Sequence, residues 1–233
     1  MRSNGSFGPV FSAKQPDALP ASANSFNDEF DGSSLDAKWT VRNNPSGNTV
    51  TVANGQLTYS NTDNNNAYCI DQASGSTFKI TAKFSIMPSS FVSYPGAGMF
   101  LYDTVSSKGT QFMYIAAYGG AKGSANQPPK ITIDHLNNFD ESGGSGSNPN
   151  VFLLTVGNST TSFNFPLMHP LYFQIEQDSS TLHYRWSFDG QNFLQLFSES
   201  KSTFMTSSAN RCGLIASTFG ATFEAHFDWI RKT

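Results

Sequence analysis

Charge is scarce in this chain. Only 13% of its 233 residues are Asp, Glu, Lys or Arg, and the formal net charge is -3. A protein that tracks a phosphate backbone or an anionic lipid surface needs a stripe of Lys and Arg, and none is present, so neither nucleic acid nor membrane is expected as a partner. Cysteine is equally sparse. Cys69 and Cys212 stand far apart with no CxxC spacing, which excludes a zinc knuckle. Each sits in an apolar strand-like run, where a free thiol behaves as a small buried hydrophobe; a disulfide would require the two strands to be neighbours at suitable geometry. No apolar run approaches transmembrane length, and the first 25 residues lack the apolar stretch of a secretory signal. Helical periodicity is absent as well.

What is plentiful is aromatic. Phe, Trp and Tyr make up 14% of the chain, with 21 Phe among them. A buried Phe stabilises by roughly 1.5 to 3 kcal/mol relative to an exposed one, so a large core forms without metal or disulfide staples. Apolar and polar side chains alternate with a period of two almost everywhere after Trp39. Phe78, Ile80, Ala82, Phe84 and Ile86 alternate with Lys79, Thr81, Lys83 and Ser85, the pattern of a half-buried antiparallel strand. Similar runs cover Phe112 to Tyr118, Lys130 to Leu136, Val151 to Val156, Leu171 to Gln177, Thr181 to Phe188, Arg211 to Ser217 and Thr222 to Ile230. Short strands separated by Gly, Asn, Ser and Asp clusters predict an all-β, two-sheet antiparallel sandwich or jelly roll. The stretches Tyr118 to Pro129 and Asn137 to Asn150 are the long loops, rich in Gly, Ser and Asn.

Residues 1–25 differ from the rest. Ser, Ala, Asn and Gly dominate, Pro9, Pro16 and Pro20 discourage regular structure, and only Phe7, Val10, Phe11 and Leu19 offer apolar anchors. The expected division is an extended N-terminal arm over 1–25, suited to docking on a neighbouring subunit or larger assembly, and a sandwich over 26–233.

Two motifs frame that sandwich: FNDEFDGSSLDAKW from Phe26 to Trp39, and FDWIR from Phe227 to Arg231. Phe26, Phe30, Leu35 and Trp39 are spaced to seal one end of the sheets, with Asp31-Gly32 supplying turn chemistry. NGQLTYS, TFKITAKFSI, GAGMFLYD, the hairpin around Ser187-Phe188-Asp189-Gly190 and CGLIAS follow in order. The combination resembles the non-catalytic jelly-roll modules of the concanavalin A-like lectin/glucanase superfamily over nearly all of Phe26 to Thr233. That resemblance implies a calcium ion near the chain ends, with Asp28 and Asp228 as candidate carboxylates. The competing expectation, and the favoured one, is that Asp228 accepts hydrogen bonds from the opening turn. No other cofactor is expected.

Glycoside hydrolysis needs two carboxyl groups about 5 to 10 Å apart. Glucanases of the superfamily carry an E-x-D-x-x-E strand, and the nearest string here, Glu29-Phe30-Asp31-Gly32-Ser33-Ser34, lacks the last Glu. The chain has five Glu, and those at 141, 176, 199 and 224 stand alone. An enzyme is therefore not expected. His135, His169 and His226 share no metal-ligand spacing.

The expected recognition surface is a hairpin. If Leu171, Phe173 and Ile175 face the core, Tyr172, Gln174 and Glu176 share the opposite face. Turning Leu182, Tyr184, Trp186 and Phe188 inward sends His183 and Arg185 outward beside them. A Tyr among amides and charges suits a surface glycan, the ring stacking on C–H faces while polar groups orient hydroxyls; the alternative is a solvated face with cross-strand charge pairs worth about 0 to 1 kcal/mol. The functions weighed are a structural or surface protein of a virus particle, expected as a bacteriophage decoration, fibre or tail module assembled in the host cytoplasm, either as a homo-oligomer or within a larger assembly; a carbohydrate-binding module; and, last, a glucanase-type hydrolase.

Overall fold

Period-two alternation produces strands throughout. The computed structural model describes residues 23–42, 48–61, 67–88, 96–115, 130–137, 152–155, 170–205, 209–217 and 223–233. The arm anchors Phe7, Val10, Phe11 and Leu19, together with both long loops apart from Asn137, lie outside the described residues. The strands are β1 Thr40–Arg42, β2 Asn48–Ala53, β3 Gln56–Asn61, β4 Ala67–Ala73, β5 Phe78–Pro88, β6 Gly96–Asp103, β7 Lys108–Ile115, β8 Lys130–Leu136, β9 Phe152–Thr155, β10 Leu171–Gln177, β11 Thr181–Ser187, β12 Leu194–Ser200, β13 Arg211–Ser217 and β14 Phe223–Lys232. They form two seven-stranded antiparallel sheets. The first runs β12-β11-β10-β5-β14-β3-β2 and the second β1-β4-β13-β6-β7-β8-β9. The protein is thus an all-β, two-sheet sandwich.

One core lies between the sheets. Phe112 of the second sheet stacks on Phe173 of the first at 4.0 Å between ring centroids, and Phe84 meets both Phe173 at 5.0 Å and Phe227 at 5.6 Å. Such ring pairs add about 0.5–1.5 kcal/mol each beyond area burial. The opening segment closes one end, with Phe26 edge-on and Phe30 stacked against Trp39, both at 6.3 Å. Leu35 packs alongside, partly buried. The left-handed residue of that turn is Phe30 (φ 53) rather than Gly32. Asp28 Oδ1 accepts the Phe30 N–H at 2.8 Å and holds the conformation in place.

Three differences from the sequence reading have physical causes. β5 is buried on both faces at Thr81 and Lys83, so it is not a half-exposed strand. Phe188, expected inward, lies beyond the end of β11, is 48% exposed and meets Trp186 edge-on. β12 was not anticipated, because Leu194 through Ser200 show no clean alternation of exposure; a bulge at Tyr184/Arg185 of its partner shifts the register. The cysteines are both free and buried. They lie on adjacent strands, but Cys69 pairs with Ile215 while Cys212 pairs with Gln72, and Cys212 faces the inter-sheet core whereas Cys69 faces away from it. A bond between them is excluded by that register.

Candidate functional site

The β10–β11 hairpin brings the expected polar residues together. Gln174 pairs with Arg185 and Glu176 with His183 across the ladder. Arg185 Nη1 donates to Gln174 Oε1 at 3.2 Å and to Glu176 Oε2, while Lys79 Nζ lies 3.3 Å from Glu176 Oε1. Burial raises the Glu176 carboxyl, but the Arg185 and Lys79 charges outweigh it and hold the pKa below the usual glutamate value. His183 turns to Asp178, with Nε2 and Oδ2 3.2 Å apart. Tyr172 departs from the expected platform. It does face away from the core, yet it is only 7% exposed, because its ring lies against Trp229 at 5.9 Å and beneath Gly190, where an added Cβ would come within 2.8 Å. Gln174 is equally covered. A sugar cannot stack on a ring so enclosed.

Asp28 and Asp228 are each engaged by donors. Asp28 accepts from the Phe30 amide and, at Oδ2, from Trp39 Nε1 at 2.7 Å, with Lys38 Nζ 3.4 Å away. Asp228 accepts from Gln56 Nε2 at 2.7 Å and pairs with Lys83 at 2.9 Å. The opening turn is therefore tied by Asp28 and not by Asp228. Opposite charges already neutralise both carboxylates, which leaves little drive to bind a hard cation. Among the described residues no group of three or more His, Cys, Asp or Glu could hold a metal ion.

Sequence reasoning missed the outer face of the second sheet. Strand alternation sends Cys69, Phe100, Tyr102, Met113, Leu136 and Ile215 to that side, where they form a second buried cluster distinct from the core. Two glycines permit the close approach of its central strands: a Cβ would lie 1.8 Å from the Ile70 carbonyl oxygen at Gly213 and 2.0 Å from that of Phe112 at Gly98. One row across this face reads Asp71, Gly213, Phe100, Gln111, Asp134. Asp71, fully buried, is gripped by the guanidinium groups of Arg42 and Arg211, and Arg42 also lies over the Tyr102 ring at 4.5 Å. At the other end Gln111 Nε2 donates to Asp134 Oδ2 at 3.0 Å. Burial pushes the Asp134 carboxyl up, and the Gln111 and Thr132 side chains offset part of that. Four interstrand spacings separate Asp71 from Asp134, about 19 Å. That exceeds the span across which two carboxyl groups share a glycosidic bond.

A third cluster, also missed, joins the two sheets. Glu199 Oε1 accepts the Tyr184 hydroxyl at 3.1 Å and lies 3.1 Å from His135 Nε2, whose ring stacks on Phe204 at 4.0 Å. Each glutamate among the described residues has a basic neighbour: Glu29 has Arg231, Glu176 has Arg185, Glu199 has His135 and Glu224 has His226.

No family model and no curated protein matches the sequence. Solved structures do match in fold. The chain superimposes on Xyloglucan PUL GH43B of Bacteroides ovatus with TM-score 0.59 and 14% identity, covering 93% of this chain and 41% of that one. Xylan β-1,4-xylosidase from Bacillus halodurans C-125 gives 0.55 and 13%, over 95% and 41%. The exoplasmic/lumenal domain of VIP36 in its Ca2+/Man-bound form gives 0.55 and 9%, over 84% and 82%. The chain shares their lectin-like β-sandwich fold. It spans about two fifths of the length of the two glycosidase structures.

Proposed function

We propose that this chain is a non-catalytic, carbohydrate-recognising sandwich module. The observation that carries the reading is the shared fold with structures from glycan-processing and mannose-bound proteins, combined with a carboxylate arrangement unsuited to hydrolysis. Every described glutamate is tied to a basic group, and Asp71 and Asp134 stand about 19 Å apart. Fold alone does not select a function, so the site carries the burden of proof. Calorimetric titration with xylo-oligosaccharides, xyloglucan oligosaccharides and mannose tests it. Binding of at least one without its cleavage is expected; turnover would make the protein an enzyme.

The N-terminal composition favours a second reading, in which the module is carried on a larger assembly such as a virus particle. Pro9, Pro16 and Pro20 with the anchors Phe7, Val10, Phe11 and Leu19 suit a segment that docks on a neighbour. Mass spectrometry of purified particles tests this, and absence of the protein from them removes it. The two readings are compatible, since a surface module can recognise host glycans.

A further inference from the structure

The two sheets leave four edges among the described residues, β12 and β2 on the first and β1 and β9 on the second. An edge strand offers a row of unpaired N–H and C=O groups to any other strand, and folded proteins guard it by shortness, a bulge, charge or Pro. Three of these edges are guarded. β1 and β9 are 3 and 4 residues long, and β12 carries the register shift opposite Tyr184/Arg185, followed by Glu199 and Lys201. β2 has no such device. It is 6 residues long, its ladder to β3 runs from Asn48↔Asn61 to Ala53↔Gln56 without a shift, and no Asp, Glu, Lys or Arg occurs between Arg42 and Asp63. Val52 is buried and Val50 half-buried against the core, which anchors the strand, while Thr49, Thr51 and Ala53 are exposed on the outer face.

Hairpin geometry decides which backbone groups are free. Asn54 and Gly55 form a two-residue turn with both φ positive (56 and 72), so Ala53 and Gln56 close it as a hydrogen-bonded pair. Such pairs alternate along an antiparallel ladder. Thr49 and Thr51 therefore bond to β3, and Asn48, Val50 and Val52 turn their N–H and C=O groups to the open side, where no strand among the described residues lies.

We propose that β2 is a dimerisation edge, pairing antiparallel with β2 of a second copy about a two-fold axis at Val50. In that register Val50 meets its own copy and Asn48 meets Val52 as hydrogen-bonded pairs, so each outward N–H and C=O finds a partner. Thr49 meets Thr51 as the intervening pair, in which side chains lie closest. Directly opposed residues share a face, so the valines stay on the core side and the threonines on the outer side. An axis at Thr51 would leave Asn48 facing the turn. The strand is its own complement: Thr–Thr pairs are favourable, and an edge without charge meets its copy with no like charges opposed. Both copies use the same edge, so the contact is isologous and closes at two chains. Dimerisation neither requires nor excludes glycan binding.

Sedimentation equilibrium of the intact chain over a range of concentrations measures the association, with thermal melts of each variant alongside. Thr49→Lys/Thr51→Lys sets lysine opposite lysine in the dimer, whereas Thr49→Lys/Thr51→Glu sets lysine opposite glutamate at the same exposed positions. The wild type is expected to be a dimer, the double-lysine variant to associate at least about tenfold more weakly, and the lysine/glutamate variant to recover most of that loss. A wild type that stays monomeric overturns the proposal and leaves the edge to a foreign strand. Wild-type association in the double-lysine variant overturns it too, since the contact would then lie on another surface. Equal weakening in the two variants would overturn the pairing about Val50, because opposite charges set face to face there should attract.

Discussion

Asp28 and Ile230 exchange two backbone hydrogen bonds, each 3.0 Å long, and so stitch the opening segment to the last strand. The Asp28 side chain completes the join by accepting the Trp39 indole N–H at 2.7 Å. Trp39→Ala removes both the ring packed on Phe26 and Phe30 and that hydrogen bond, and should cost about 3–5 kcal/mol. Trp39→Phe retains an aromatic ring but leaves one Asp28 oxygen with Lys38 alone, for about 1.5–3 kcal/mol. Urea denaturation of the two variants checks both, and a loss under 1 kcal/mol for Trp39→Ala would show that the end seal is not there.

The glycines of the central strands make a sharper claim. At Gly213 and Gly98 an added methyl would collide with carbonyl oxygens of neighbouring strands, which cannot move without breaking the ladder. Gly213→Ala and Gly98→Ala should each cost more than about 3 kcal/mol or prevent folding, as overpacking against backbone does. Gly32→Ala meets nothing nearer than 3.4 Å and serves as the control, with a change within about 0.5 kcal/mol. Melting temperatures of the three variants are enough to decide.

Glu199 links the sheets through two partners at one oxygen. Glu199→Ala strands both the Tyr184 hydroxyl and the His135 ring in a buried site, and a loss of about 3–5 kcal/mol is expected. Tyr184→Phe removes one hydrogen bond to a carboxylate and should cost about 1.5–3 kcal/mol. Equal, small losses in the two would mean that water replaces the protein contacts.

Neither cysteine should react in the folded protein. Burial pushes both thiols well above their ordinary pKa, and the nearby Asp71 charge adds to the shift at each. The thiolate is the reactive form, so labelling with a thiol reagent at pH 8 should wait for denaturant. Rapid modification of one site before unfolding would place that thiol at the surface.

The fold was legible because strand alternation is a local signal. Lys130 to Leu136, Leu171 to Gln177 and Arg211 to Ser217 read from the sequence with their observed limits. β12 was hidden because its side chains straddle the sandwich edge, where no face is wholly buried. The outer face of the second sheet was less legible. The same alternation that marks Ile131 and Ile133 as core places Thr132 and Asp134 together on the other side, but whether that side is wet or enclosed depends on packing across strands far apart in sequence. Tyr172 illustrates the same limit, since its cover comes from Trp229 and Gly190, neither adjacent in the chain.

Asp134 provides a test by pH that does not depend on any ligand. Its pKa is raised in the folded protein, first by burial, so in the window above the ordinary aspartate value the folded state holds more of a proton than the unfolded chain does. Stability contributed by this group is then greatest at low pH and falls as pH rises through the folded-state value. Asn at this position has no proton to lose. Urea unfolding of wild type and Asp134→Asn from about pH 4 to pH 7, a range that starts near the unfolded aspartate pKa of about 3.9, should give a stability difference that shifts in favour of the variant with rising pH and then levels off. A difference constant across the series would mean that Asp134 ionises as it does in the unfolded chain, and that its carboxylate is solvated.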